Sequence, residues 1–178
     1  MKNICIGLFE GETLPESLAA FKNVKLDLEF GKITTIYTLH QLDCEKIVVV
    51  GLGDGKKNIK EAFSKVEADD YLVYVTENTA YAAGFGLVYG AYSYKETKVY
   101  DLESDGFKDE FEKGKTVARI VNHAREMSDM PANFLTPDHL VDEAKMVAEK
   151  YDMEIEVLAQ DDLEEIGAGA LLAVNQGS

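Results

Sequence analysis

Short apolar runs of strand length alternate along this chain with segments whose apolar positions recur at helical spacing. That alternation predicts an α/β layer structure rather than a bundle or a sandwich. Ile4–Phe9 reads as a strand, and Lys32–His40 alternates with Ile33, Thr35, Tyr37 and Leu39 on one face. Lys46–Gly51 is a continuous β-branched run ended by glycine, the pattern of a strand buried on both faces, so a central place in the sheet is expected. Asn58 can cap a helix that carries Ile59, Ala62, Phe63 and Val66 on one face, and Tyr71–Thr76 returns as a strand, which predicts a β-α-β unit. Thr79–Tyr94 is rich in alanine, tyrosine and glycine; it predicts a helix in which Gly84, Gly86 and Gly90 let another element come close. Lys98–Leu102 reads as a last short strand and Glu103–Asp109 as a loop.

A long helix follows from Asp109 to about Ser128, with Val117, Ile120, Val121, Ala124 and Met127 on one face and a break at Met130-Pro131. Thr136 then caps a further helix, with Pro137 at its first position, running through Leu140, Ala144, Val147 and Ala148 to Tyr151. Met153–Leu158 reads as a strand, Asp161–Ile166 as a short helix, and Ala168–Val174 as an apolar segment before Asn-Gln-Gly-Ser. The expected organisation is a first domain over residues 1–108, a linker helix over 109–130, and over 131–178 the opening of a second domain that the chain does not complete.

Composition narrows the function classes. With 46% hydrophobic and 29% charged residues among 178, the chain has the apolar content to build a core. Its 33 acidic and 18 basic residues give a formal charge of −15, which repels phosphate backbones and anionic lipid; the lysines are dispersed, and Arg119 and Arg125 are the only arginines. Neither a nucleic acid nor a membrane is therefore expected as a partner. The start lacks a signal peptide's long apolar region and cleavage site, and no run reaches transmembrane length. Cys5 and Cys44 fall inside expected strands without metal-type spacing, which predicts two reduced, buried thiols in a cytoplasmic protein.

The motifs are weighed in the same way. Gly51-Leu-Gly-Asp-Gly55 follows a buried strand, but a dinucleotide fingerprint needs its third glycine where Lys56 stands, so the expected role is a strand-to-helix turn. His40, His123 and His139 lie far apart with no zinc-type pairing. Asp161-Asp-Leu-Glu-Glu165 suits the first turn of a helix better than a metal. Nucleophile elbows, Cys-His pairs and phosphate loops are all missing, so no catalytic, metal or cofactor-binding residue is assigned.

Asn122-His-Ala-Arg-Glu-Met-Ser-Asp-Met-Pro-Ala-Asn-Phe-Leu-Thr-Pro137 resembles the domain junction of the leucyl aminopeptidase family of dinuclear metallopeptidases. The match continues in register through Val157-Leu158 and Leu163–Ser178, and more loosely upstream at Val48–Gly53 and Gly86–Lys95. Met127, Asp129 and Asn175 depart from the usual leucine, asparagine and glycine of the pattern. The resemblance implies a macro-like amino-terminal α/β domain with a mixed sheet, joined by the linker helix to a peptidase domain. It further implies a cytoplasmic homo-hexamer that cleaves amino-terminal residues, leucine preferred, from peptides with two divalent ions, manganese or zinc. The family's lysine and carboxylate metal motifs do not occur in these residues, so none of its ligands carries over and the stretch by itself is expected to bind no metal and to be inactive. The alternative is a macro-like module that binds ADP-ribose or another nucleotide at Gly51–Gly55.

Overall fold

Five strands, β1 (Asn3–Leu8), β2 (Ile33–Tyr37), β3 (Lys46–Gly51), β4 (Tyr71–Tyr74) and β5 (Leu102–Ser104), form one mixed sheet in the order β2-β3-β1-β4-β5. The computed structural model describes residues 2–94 and 99–175, and these fall into two units, Met1–Asp129 and Met130–Ser178. In the first unit β1 pairs in parallel with both β3 and β4, β4 pairs in parallel with β5, and β2 runs antiparallel along β3. The fold is α/β, as the alternation of the sequence predicts, and the sheet is mixed, as the resemblance implies. The β-α-β unit is real but wider than a nearest-neighbour crossover, because β1 lies between β3 and β4.

Two cores sit on the two faces of the sheet, and the two-residue period of each strand divides its side chains between them. Cys5, Val48, Val50 and Val73 face the helices and pack with Phe63, Leu87 and Phe111. Ile4, Ile6, Leu8, Ile47 and Val49 face the other way, where Leu18 and Phe21 of a 3₁₀ turn, Glu16–Phe21, cover them. Because β3 contributes to both cores, it carries no polar position from Ile47 to Val50. It is interior, with β1 at the centre of the order.

Three helices cover one face: α1 (Ile59–Phe63), α2 (Ala80–Gly90) and α3 (Lys108–Asp129). The Asn58 side chain accepts the Lys60 N–H and starts α1. The α2 glycines are contact points, as the sequence predicts. A Cβ at Gly86 or Gly90 would strike backbone atoms of the turn around Lys60 and Ser64, and one at Gly84 would strike the Phe111 carbonyl of α3. From the other side, Gly114 of α3 lies against the Tyr81 carbonyl.

Several sequence expectations are corrected. The expected apolar face of α3 is not the buried one: Phe111, Gly114, Lys115, Ala118 and Asn122 are buried, while Ile120 is 65% exposed. Close approach to α2 demands small residues at the crossing, and these lie on the less hydrophobic side of α3. On β2 the buried residue is Ile36, while Ile33, Tyr37 and Leu39 are exposed. A turn with left-handed Leu39 and His40 ends that strand. Cys44 is buried but lies in the bend before β3, not in a strand. Of the expected last strand, Lys98 lies outside the described residues, residues 99–101 are not in a strand, and β5 takes Leu102–Ser104 from the expected loop.

The second unit holds α4 (Pro137–Lys150), α5 (Gln160–Glu165) and α6 (Gly169–Asn175). Thr136 caps α4 by accepting the His139 N–H at 3.3 Å, as its sequence predicts. Met153–Leu158 forms no strand: the described residues of this unit include no partner strand, and the N–H groups of residues 154–158 have no acceptor among them. The expected apolar segment 168–174 becomes α6. Of the motif Asn175–Ser178, residues 176–178 lie outside the described residues.

Candidate functional site

The Gly51–Gly55 turn is packed by its own chain. Gly51 N–H donates to the Lys32 carbonyl, Leu52 N–H to Leu8 and Gly53 N–H to Leu28, each at 2.8–3.0 Å. A Cβ on Gly51 would collide with the Glu29 carbonyl, and one on Gly53 would press on Phe30. Glycine is needed here for close backbone approach and, at Gly53 and Gly55, for positive φ. A phosphate cradle needs free N–H donors at this turn, and these three are engaged.

The three histidines belong to different segments of the chain. His40 is exposed beyond β2, and His139 contacts the Phe134 carbonyl through Nδ1 beside the α4 cap. His123 lies on α3. In the acidic run, Asp162 accepts the Ala159 N–H at 2.9 Å, so a carboxylate serves the start of α5. Burial pushes the Cys5 thiol up to about 12. Burial, and then the neighbouring Asp43 charge, raises Cys44 as well. Among the described residues no group of three or more His, Cys, Asp or Glu side chains converges as a metal ion requires.

The densest polar arrangement instead joins α2 to α3. Asn122 donates to the Val88 carbonyl at 2.9 Å, and Arg125 donates to the Tyr89 carbonyl and to Asn122 Oδ1, both at 3.0 Å. The Arg125 guanidinium lies over the rings of Tyr89 and Tyr92, at 4.3 and 4.2 Å. Tyr92 donates to Asp129 at 2.7 Å, and desolvation with that carboxylate raises its hydroxyl to about 12. Asn122 and Arg125 belong to the junction motif, so its polar residues close the end of α3 onto α2. Beside them a pocket of about 340 Å³ opens between α2, β5 and α3, with Leu87, Val88, Leu102, Lys115 and Arg119 in its wall. Sequence reasoning missed this pocket because its residues come from three separate elements. Lys115 was the available signal, being a charged residue on the side of α3 that also carries Gly114 and Ala118.

The fold is similar to that of two solved structures. Two solved structures, of the "Bottromycin maturation enzyme BotP in complex with Mn" and of the "Bottromycin maturation enzyme BotP", match 93% of this chain with TM-scores of 0.71 and 0.69 at 18% and 17% identity. The chain covers 40% and 41% of theirs. In sequence, residues 122–178 match the catalytic domain of the cytosol aminopeptidase family. A "Probable cytosol aminopeptidase" of Exiguobacterium sibiricum is 42% identical over 104 residues, 54% of this chain and 22% of that protein. Another, of Aromatoleum aromaticum, is 24% identical over 99% of this chain and 45% of its own length. In sequence the chain is thus similar to members of the cytosol aminopeptidase family, and it spans less than half the length of these curated relatives.

Proposed function

We propose that this chain is the amino-terminal part of a leucyl aminopeptidase, with residues 1–108 as the first domain, 109–130 as the linker helix and 131–178 as the opening of the peptidase domain. The observation that carries the reading is the continuous family match from Asn122 on α3 to Ser178. Burial supports it: Ala148 is the one buried residue among those described in the second unit, while Phe134, Leu140, Met146, Tyr151 and Leu171 are each more than half exposed. A segment with so little buried apolar surface does not offset the entropy of ordering it. Its apolar side chains are those of a larger core.

The whole enzyme is a cytoplasmic homo-hexamer that removes amino-terminal residues, leucine preferred, from peptides. Two divalent ions, manganese or zinc, supply the Lewis acidity and the activated water. The present residues form the sheet domain and the junction that carry the peptidase core, and by themselves they are inactive. A longer protein of the relatives' length should release leucine from leucine amide when manganese or zinc is supplied, and a chelator should stop it. The 178-residue chain should release none. A longer protein inactive with both metals, or an active 178-residue chain, overturns the proposal.

A further inference from the structure

The pocket beside the junction is a cationic spot on a chain of charge −15. Of the only two arginines, Arg125 is engaged with Asn122, the Tyr89 carbonyl and the tyrosine rings, whereas Arg119 lines the pocket with no hydrogen-bond or ion-pair partner among the described residues. Its five N–H donors are unspent. Lys115 is 7% exposed and also lines the pocket. Its ammonium donates to the Leu102 carbonyl at 2.8 Å and to Glu112 at 2.6 Å, and an ammonium has a third donor.

Of the neutral polar groups in the wall, the Asn122 amide is spent on Val88 and the Tyr92 hydroxyl on Asp129, and Tyr100 and His123 line it as well. Arg119, and Lys115 with its ammonium already paired to Glu112, thus share the pocket with the apolar side chains of Leu87, Val88 and Leu102. At about 340 Å³ the pocket is at the small end for organic ligands, too small to enclose a dinucleotide. Glu126 at its edge disfavours a second negative charge on the ligand.

We infer that this pocket binds a small aliphatic monocarboxylate, its carboxylate held by Arg119 and Lys115 and its hydrocarbon laid on Leu87, Val88 and Leu102. Arg119 suits the head group because a guanidinium can take a carboxylate in two parallel hydrogen bonds. The site rests on the geometry of the first unit alone and does not depend on peptidase activity.

The test is an amide NMR titration of the 178-residue chain with isovalerate, its neutral isostere isovaleramide, and acetate. Isovalerate should give saturable shifts confined to residues around Leu87, Leu102 and Lys115–Asn122. The amide, lacking the charge, and acetate, lacking the hydrocarbon, should each bind about tenfold more weakly or worse. Arg119→Gln, an exposed position whose variant should keep the spectrum of the folded chain, should weaken isovalerate by about tenfold, and Arg119→Lys by less. Equal binding of isovalerate and isovaleramide, shifts elsewhere or without saturation, or unchanged affinity in Arg119→Gln would each overturn the assignment.

Discussion

Asn3 ties together three strands through one side chain. Its side-chain oxygen accepts the N–H groups of Glu45 and Lys46, both at 3.1 Å, and its amide donates to Asp69 at 3.0 Å, so one side chain at the start of β1 aligns the entries to β3 and β4. Asn3→Ala leaves those two N–H groups unsatisfied and should cost about 1–3 kcal/mol in urea unfolding. Asp69 completes the cluster with an ion pair to Lys46 at 2.9 Å. Burial pushes its carboxyl upward, but hydrogen bonds from Lys46, the Asp70 N–H and Asn3 outweigh burial and hold it below the usual carboxylate range. A folded carboxyl that titrates below its unfolded value contributes its stability in full above about pH 4 and loses it as pH falls through the lower folded value. Stability measured in urea should therefore drop below about pH 4, and Asp69→Asn should remove part of that drop. An identical acid profile in the variant would show that the pair contributes nothing. The cysteines give a simpler expectation: Cys5 and Cys44 are buried and their thiols are raised, so neither should react with a soluble disulfide reagent at neutral pH until the chain is unfolded.

Among the elements, α3 separates what is hydrophobic from what is buried. Its crossing with α2 is built on Gly84, Gly114 and Ala118, with Phe111 filling the space toward the sheet. Ala118→Leu should force the helices apart and cost about 1–3 kcal/mol, and Phe111→Ala should leave a cavity costing about 3–5 kcal/mol. Ile120→Gln, on the face that the sequence pattern favours, should change stability by no more than about 0.5 kcal/mol. Urea unfolding of the three variants ranks the faces, and a larger loss for Ile120→Gln than for Ala118→Leu would reverse the reading. The strand at Met153–Leu158 fails for a related reason. Its composition is right, but a strand is a partnership, and among the described residues nothing offers it a ladder. The amides of residues 154–158 should accordingly exchange with solvent far faster than those of β3, as hydrogen-exchange NMR would report.

At the scale of the molecule, the two units differ in kind. The first has two cores around a sheet and the second has one buried residue among those described. Legibility in the sequence follows that difference. β1, β3, β4, α1, α2 and α4 could be read because each carries a local signal: an apolar run of strand length, an Asn58 or Thr136 cap, or, for α2, a stretch rich in alanine, tyrosine and glycine. The resemblance to the family could be read from the junction at Asn122–Pro137, whose Asn122 and Arg125 hold the end of α3 to α2. The buried face of α3 and the outward face of β2 could not, since periodicity shows that a side is apolar without saying what covers it. The pocket at Lys115 and Arg119 could not either, because it exists only where α2, β5 and α3 meet. By itself, then, the sequence determined the order and type of most elements and the family resemblance, since caps, periods and motifs act within a few residues. Only the tertiary structure decided which faces are buried, which donors remain unspent and which strands have partners, because each of these depends on groups that are distant in the chain and close in space.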